Sequence, residues 1–579
     1  MVEILLNPYQ EQGVAREAPL VLPLNQVGIA DISLVGEKNA SLGEITQQLR
    51  RKGVKVPMGF ATTTYAYKYF MTATGLEAKL RKLFADLDVK DRQNLRLCGV
   101  QARQLILQTP FPIELQTAIA QAYANLCQEY SKNIDVVVGS STIGKNLSDA
   151  GQEVTYVNVQ GLPAVLEACH QCLATIFTDS DIAYRQINGF DQLNVALSIS
   201  IQKMVRSDLA AFGFMFSVDT ETGFKDAALI TAYSLSTVNA ADEYLVFKPT
   251  LKQGYRPIID KRLGTQQVKI VDEVNGSITP PARQEFTLND EEILQLAHWA
   301  CIIEEHYSQV HGVYTPMDIA WAKDGVSNEL FIVQASSGKV QLHQTKNVDI
   351  QDFFLEKIPS KRTQIMINLG SPEAAFDLSV DLTANDEDKV EFFVDQLAQS
   401  LGAIAAAFYP KTIAVFLSDF NVKQFESQAE NPISYRQSFA LECQAIKRVR
   451  DEMGLTNIIL MLPCCHTPDA GRRVLIEMAK YGLVRGENGL QVYVMSELPN
   501  NVELRDEFSQ VFDDFSICFQ TPPGLNRDSE ILAHLFYERD EAVKRMMAKA
   551  IATIQENGHK ISICNQASRS HFKSNNHHF

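Results

Sequence analysis

The stretch FALECQAIKRVRDEMGLTNIILMLPCCHTPDAGRRVLIEMAKYGLVRGENGLQVYVMSE, residues 439–497, decides the fold of this chain. Its first apolar residues recur at helical spacing: Phe439, Cys443, Ile446 and Met453. Gly454 is placed to end that helix, because glycine adopts the left-handed conformation of a helix C-terminus. The run Ile458–Leu462 is short and entirely apolar, which is typical of a buried strand. A helix leading into a buried strand is therefore predicted.

A second helix and a second strand are predicted directly afterwards. Thr467 is placed as the N-cap of that helix, with Pro468 at its first position, and Gly482 is placed to end it. Apolar residues then alternate along a strand: Leu490, Val492 and Val494. The carboxyl end of this strand carries Ser496 and Glu497. In a β/α barrel, that end of the strands forms the catalytic face.

The charge of the chain limits its partners. The 579 residues include 53 basic and 69 acidic side chains, which gives a formal net charge of -16. Nucleic acids and anionic membranes both bind basic surfaces, so neither is expected as a partner. The sequence also lacks an apolar run of about 18 residues, the minimum for a membrane span. We therefore expect a cytoplasmic protein without membrane insertion.

The 10 cysteines are scattered along the chain and are expected to be reduced thiols, as in the cytosol. Cys464, Cys465 and His466 form one candidate metal cluster. Because they directly follow the predicted strand Ile458–Leu462, packing at a strand end is the favoured interpretation.

Three segments resemble the phosphoenolpyruvate-binding barrel of the phosphoenolpyruvate synthase family: ALECQAIKRVRDEMGLTN (440–457), TPDAGRRVLIEMAKYGLVRGENGLQVYVMSELP (467–499) and LAHLFYERDEAVKRM (532–546). The resemblance makes Glu497 a magnesium ligand and Cys564 the proton donor to the enolate carbon. A single carboxylate gives Mg²⁺ only one or two contacts, so retention of both residues by packing of the scaffold is the favoured interpretation. The resemblance also shows departures. Phe416 stands where the family has an arginine for the substrate phosphate, and CFQTPPG (518–524) replaces a stretch with a magnesium-binding aspartate.

Two N-terminal segments resemble the start of the family's ATP-grasp region: VGIADISLVGEKNASLGEI (27–45) and GVKVPMGFATTTYAY (53–67). Gly36, Lys38 and Asn39 precede a helix expected to begin near Ser41, which would offer amides and one cation to a phosphate. An ordinary capped helix explains these residues equally well. Arg206 has two interpretations as well, a phosphate contact or a surface ion pair with Asp208.

Four positions of the ATP-grasp region depart from the family pattern. Gly139 replaces an arginine of an Arg-Ser-Ser triplet, and Thr237 replaces the acidic residue of a glycine-rich turn. Ala320 replaces a magnesium-binding glutamate, and Ser336 replaces an arginine. Alanine cannot supply the hard oxygen ligands that Mg²⁺ requires, and glycine cannot replace a guanidinium. These changes predict a weakened nucleotide site.

The predicted fold is α/β with an α+β N-terminal part. An ATP-grasp-like domain is expected at 1–345, and a linker at 346–361 replaces the family's phosphohistidine domain, since none of the 11 histidines has the matching setting. A truncated phosphoenolpyruvate-binding barrel is expected at 362–570, followed by a disordered tail at 571–579. Six strands are predicted for the barrel, near 363–369, 412–417, 457–462, 490–496, 514–519 and 561–565, whereas closure needs eight.

The losses at chemistry-bearing positions predict a pseudoenzyme that works as a binding, scaffolding or regulatory protein, with no cofactor. The alternative is a phosphotransferase of the same family that keeps a partial ATP- or phosphoenolpyruvate-dependent activity, with ATP and magnesium as cofactors. The open barrel predicts a homodimer or a protein partner that covers the missing strands. Segment 371–380 could instead complete the barrel in place.

Overall fold

The computed structural model describes residues 19–130, 134–143, 154–234, 240–264, 285–337, 365–368, 387–417, 435–462, 465, 467–496, 505–518 and 561–564. The helices are α1 (Ile32–Glu44), α2 (Thr64–Ala73), α3 (Leu76–Phe84), α4 (Arg92–Gln108), α5 (Ile113–Tyr130), α6 (Leu162–Ala174), α7 (Asp179–Ile187), α8 (Lys248–Leu251), α9 (Asp290–His311), α10 (Glu387–Phe408), α11 (Tyr435–Lys447), α12 (Pro468–Lys480) and α13 (Arg505–Val511).

The strands that accompany these helices are β1 (Val21–Pro23), β2 (Gly59–Thr62), β3 (Asp135–Ile143), β4 (Thr155–Gln160), β5 (Ala196–Lys203), β6 (Ala211–Phe216), β7 (Ala227–Ser234), β8 (Asp242–Phe247), β9 (Ile258–Arg262), β10 (Met317–Lys323), β11 (Leu330–Ser337), β12 (Ile365–Asn368), β13 (Ile413–Phe416), β14 (Ile458–Leu462), β15 (Val492–Ser496), β16 (Asp514–Cys518) and β17 (Ile561–Cys564). They form three sheets.

The first sheet is antiparallel, with the strand order β1-β2-β5-β3-β4. Helices α2 and α6 pack on it. The core between these layers is built from buried aliphatic and aromatic side chains, with Phe70 and Phe177 among the fully buried residues. Burial of such side chains stabilises a lobe by about 1.5–3 kcal/mol per residue.

The second sheet has the order β11-β10-β6-β7-β8-β9, and its β11-β10-β6-β7 part is antiparallel. Helix α9 covers one face of it. A capping box starts α9, because Asn289 Oδ1 accepts from the Glu292 amide and the Glu292 carboxylate accepts from the Asn289 amide. Gly312, with φ 70°, ends it.

The third sheet is parallel throughout, and its six strands lie in chain order from β12 to β17. Both ends of each of these strands lie within two residues of the predicted positions. The predicted cap also forms, because Thr467 Oγ1 accepts a hydrogen bond from the Ala470 amide at 3.2 Å. Gly454 and Gly482 both have positive φ values, 72° and 79°. A mixed α/β chain is therefore confirmed. Segment 371–380 lies outside the described residues.

Helix α1 differs from its prediction. It begins at Ile32 and not near Ser41, and it is interrupted at Gly36, whose φ of 79° and ψ of 163° are not helical. The prediction placed the glycine before the helix because glycine normally marks a boundary. Packing against the first sheet instead continues the helix on both sides of the break.

The chain forms two compact units. One consists of Met1–Leu245 with Arg262–Asn347, and the other of Val246–Lys261 with Val348–Phe579. Among the helices that the structure describes, none is long and apolar enough to cross a membrane.

Candidate functional site

The break in α1 creates a close approach between two backbone segments. A Cβ built on Gly36 would lie 2.3 Å from the Ser141 Oγ atom of β3, which no side chain could tolerate. Both the positive φ and this proximity require glycine. The helical turn that resumes after Gly36 carries Lys38 and Asn39, so the break starts a new helical segment that packs against β3.

Lys38 lies next to the position of the lost arginine. Its Nζ atom is 3.9 Å from where a Cβ on Gly139 would lie, so the ammonium group reaches the middle of β3. The same position is 3.4 Å from Thr155 Oγ1. The pKa of the nearby Cys172 thiol is raised to about 12, mainly by burial. The positive charge of Lys38 acts in the opposite direction and is the smaller effect. The site therefore keeps a cation where the guanidinium is absent.

Asn39 and Ser141 each hold a buried polar atom that lacks a hydrogen-bond partner among the described residues. Asn39 Nδ2 donates to the Val35 carbonyl at 3.0 Å and to Ser198 Oγ at 2.9 Å. Its Oδ1 atom has no partner, and neither does Ser141 Oγ, although both side chains are buried. Buried polar atoms of this kind cost free energy unless a water or a ligand satisfies them.

Contacts with α9 hold α1 in place. His306 Nε2 lies 2.8 Å from Glu44 Oε1, and the Tyr307 hydroxyl lies 2.7 Å from Ser41 Oγ. Burial raises the pKa of Tyr307 to about 12, so the hydroxyl stays protonated. Helix α1 also packs against β11, which brings elements of the first and second sheets to the same helix.

Arg206 is bound by a carboxylate in this structure. Its Nε and Nη2 atoms donate to Asp208 Oδ1 and Oδ2 at 2.9 and 2.7 Å, a bidentate pair with both side chains about one-third exposed. The pair lowers the pKa of Asp208 and raises that of Arg206. Of the two interpretations of Arg206, the structure shows the ion pair. The strand register does not place Arg206 beside Gly139, since Gly139 pairs with Ser200 of β5.

Ala320 and Ser336, two further altered positions, belong to the second sheet. They lie on its open face, where the side chains are only partly buried. Strand pairing puts Ala320 beside Gln334 and Phe214, and puts Asp318 beside Ser336 in the next row. Directly paired residues on antiparallel strands share one face. A β-bulge follows Ala320, a feature often found next to active sites.

Asp318 and Phe214 are residues of this face that the sequence analysis missed. Burial raises the pKa of the half-buried Asp318 carboxyl, and this carboxylate lies one row from the position of the lost glutamate. The Phe214 side chain is 45% exposed in the middle of the strand, although large aromatic residues are usually covered. The alternation of strand β10 could have indicated that Asp318 and Ala320 share a face. Thr237 lies outside the described residues.

The carboxyl ends of β12–β17 share one edge of the third sheet, because all six strands are parallel. Phe416 is 9% exposed and packs in an apolar cluster on one face with Met461 and Tyr493. Cys564 ends β17 and pairs in register with Cys518 at the end of β16. Glu497 follows the last residue of β15 and lies outside the described residues, so its role stays a prediction.

The cysteines of α6 and the cysteine that follows β14 are buried free thiols. Cys169 and Cys172 of α6 form a C-x-x-C spacing that the sequence analysis overlooked; both are buried free thiols in this structure. Cys465 is buried as well, whereas Cys464 and His466 lie outside the described residues. Across the described part of the chain, no group of three or more histidine, cysteine or carboxylate side chains could hold a metal.

Comparison with known proteins identifies two family domains. Residues 32–356 match the pyruvate phosphate dikinase AMP/ATP-binding domain, and residues 383–573 match the PEP-binding domain of PEP-utilising enzymes. The chain is 42% identical to the phosphoenolpyruvate synthase of Synechocystis over 95% of this chain and 93% of that protein. The chain belongs to the phosphoenolpyruvate synthase family.

Other members of the family match over similar lengths. The chain is 33% identical to the phosphoenolpyruvate synthase of Aquifex aeolicus, over 96% of this chain and 95% of that protein. It is 31% identical to the phosphoenolpyruvate synthase of Escherichia coli, again over 96% and 95%. The prediction of a pseudoenzyme that acts as a binding, scaffolding or regulatory protein is therefore wrong, because near full-length relatives are named as enzymes and both binding domains are present. Single substitutions do not reveal that the Lys38 ammonium group lies close to Gly139, because the two residues are far apart in the sequence.

Proposed function

We propose that this chain is a phosphotransferase of the phosphoenolpyruvate synthase family that retains an ATP-dependent or phosphoenolpyruvate-dependent part of the reaction. The observation that carries the proposal is the Lys38 ammonium group beside Gly139 of β3, inside a domain that matches the family's AMP/ATP-binding model. A lysine supplies a point charge to a phosphate even where the bidentate fork of an arginine is missing.

The residues around Lys38 fit a nucleotide phosphate. The break at Gly36 brings the first amides of a helical segment close to β3, and such amides bind anions. Gly139 adds no side chain to this space. ATP, when bound, would supply the phosphoryl group to be transferred. Lys38 would hold its phosphates, and the fixed helix α1 would keep the ammonium group in place.

The open face of the second sheet fits the other parts of a magnesium nucleotide. Asp318 and the Gln334 amide oxygen are hard ligands that could hold Mg²⁺ in place of the lost glutamate at Ala320. Phe214 offers an exposed aromatic surface on which a base could stack. A single carboxylate makes this a weaker magnesium site than one with two.

At the third sheet, the resemblance supports Glu497 as a magnesium ligand and Cys564 as the proton donor to the enolate carbon of phosphoenolpyruvate. We propose that these strands form the family's β/α barrel in shortened form, and that the N-terminal unit is ATP-grasp-like. The phosphohistidine domain is proposed to be missing. The alignment with the Synechocystis protein runs over 764 positions, more than the 579 residues of this chain, and only residues 357–382 lie between the two domain matches.

A binding experiment tests the nucleotide site. Calorimetric titration and thermal unfolding with Mg-ATP are expected to show binding that Lys38→Ala weakens by about tenfold to a hundredfold, the effect of one lost charge-assisted contact. Lys55→Ala is the matched control, because Lys55 forms an exposed ion pair with Glu329 in the same unit. Equal binding by both variants would show that Lys38 does not hold the nucleotide.

An activity experiment tests the reaction. Phosphorus NMR of purified protein with Mg-ATP and pyruvate, and separately with phosphoenolpyruvate, AMP and phosphate, is expected to show consumption of a phosphoryl donor. If neither mixture changes and neither ATP nor phosphoenolpyruvate binds, the proposed phosphotransferase function is wrong.

A further inference from the structure

Two cysteines stand side by side at the carboxyl edge of the third sheet. Cys518 ends β16 and Cys564 ends β17, and the two residues occupy paired register positions on these neighbouring parallel strands. They are 46 positions apart in the chain, so only the strand pairing reveals their proximity. Paired positions on neighbouring strands lie on the same face of the sheet.

The strand pairing suits a covalent bond between the two residues. Neighbouring strands lie about 4.7–4.9 Å apart, and the Cα atoms of disulfide-bonded cysteines are about 4.4–6.8 Å apart. Both residues are the last of their strands. We infer that Cys518 and Cys564 form a reversible disulfide, which makes this edge of the sheet sensitive to oxidation.

Hydrogen peroxide is the oxidant that we propose for this step. One cysteine, as its thiolate, attacks the peroxide, forms a sulfenic acid and releases hydroxide. The thiol of the other cysteine then attacks that sulfur, the S–S bond forms and water leaves. In total, two thiols and one peroxide give one disulfide and two waters. A dithiol reductant reverses the reaction by thiol–disulfide exchange.

The consequence for catalysis rests on the proposed function. If Cys564 donates the proton to the enolate carbon, its oxidation removes that proton and stops phosphoenolpyruvate chemistry. Loss of a general acid costs on the order of 100-fold in rate. Cys518 would then protect Cys564, because a disulfide can be reduced whereas the sulfinic acid formed by a lone cysteine resists dithiothreitol.

Peptide mapping tests the disulfide independently of activity. Trypsin places Cys518 in a peptide of residues 506–527 and Cys564 in a peptide of residues 561–569, each with one cysteine. After peroxide treatment and alkylation of the remaining thiols, mass spectrometry of the full chain is expected to find these two peptides linked, and dithiothreitol is expected to separate them. Cys518→Ser is expected to abolish the link, and the control Cys127→Ser, in α5, to leave it intact.

Two results would overturn the inference. In the first, both peptides are recovered unlinked after peroxide treatment. In the second, Cys564 is linked to the peptide of residues 451–472, which holds Cys464 and Cys465. The proposed function fails separately: linked peptides from a protein that never consumes phosphoenolpyruvate would confirm the disulfide and disprove the activity. With an active protein, peroxide inactivation should be reversible in the natural chain and irreversible in Cys518→Ser.

Discussion

Asp318 is a carboxylate whose placement costs stability. Burial raises its pKa, which means that the folded protein binds its proton more tightly than the unfolded chain does. The ionised form therefore destabilises the fold. This penalty is absent below the ordinary pKa of an aspartate, grows as the pH rises through the raised pKa, and is complete above it.

We predict that Asp318→Asn raises the melting temperature at about pH 7, where an aspartate is otherwise ionised, and that the gain shrinks as the pH falls towards about 4. The same variant should weaken Mg-ATP binding, since an amide is a poorer magnesium ligand than a carboxylate. Thermal unfolding at several pH values and calorimetric titration measure the two effects.

Asp208→Asn is the matched control. The hydrogen bonds from Arg206 lower the pKa of Asp208, so its ionised form stabilises the fold at neutral pH and this contribution disappears on acidification. The two variants are expected to shift the melting temperature in opposite directions at about pH 7. A fall in melting temperature for Asp318→Asn would show that its carboxylate has a stabilising partner, contrary to the argument from burial.

Helix α12 depends on its first hydrogen bond. Thr467 Oγ1 accepts from the Ala470 amide, one of the four amides that a helix start leaves without a partner. Thr467→Ala is expected to lower the free energy of unfolding by about 1 kcal/mol, the usual effect of losing a threonine cap. Thr117→Ala is the control, because Thr117 lies inside α5 and its hydroxyl donates to the Ile113 carbonyl. Urea unfolding followed by circular dichroism measures both, and equal effects would contradict a capping role.

The whole chain is proposed to form a C2 homodimer. The part of the third sheet that the structure describes has six parallel strands, fewer than a closed eight-stranded barrel, and an open sheet leaves backbone donors and acceptors at its edges. A second copy that covers these edges is the commonest symmetric solution. Light scattering at micromolar concentration is expected to give about twice the chain mass of 64.6 kDa. A monodisperse mass of 64.6 kDa would mean that a segment of the same chain, such as 371–380, fills the barrel.

The sequence by itself determined the local features of the third sheet. The apolar run Ile458–Leu462, the Thr467 cap and the glycines at 454 and 482 lie where they were predicted, because each depends on a few neighbouring residues. The family was recognisable for a related reason, since its longest motifs are continuous in the chain. The function was predicted wrongly because each substitution was judged without its neighbours in space.

Only the tertiary structure decided which distant residues meet. The Lys38 ammonium group lies close to Gly139, and strand pairing puts Asp318 beside Ser336. Strand pairing also puts Cys518 opposite Cys564. None of these pairs is close in sequence. Strand partners and their register result from burying apolar faces across the whole unit, so local spacing carries little information about them. The break of α1 at Gly36 has the same origin. A glycine usually marks the end of a helix, and here packing against β3 continues the helix past it.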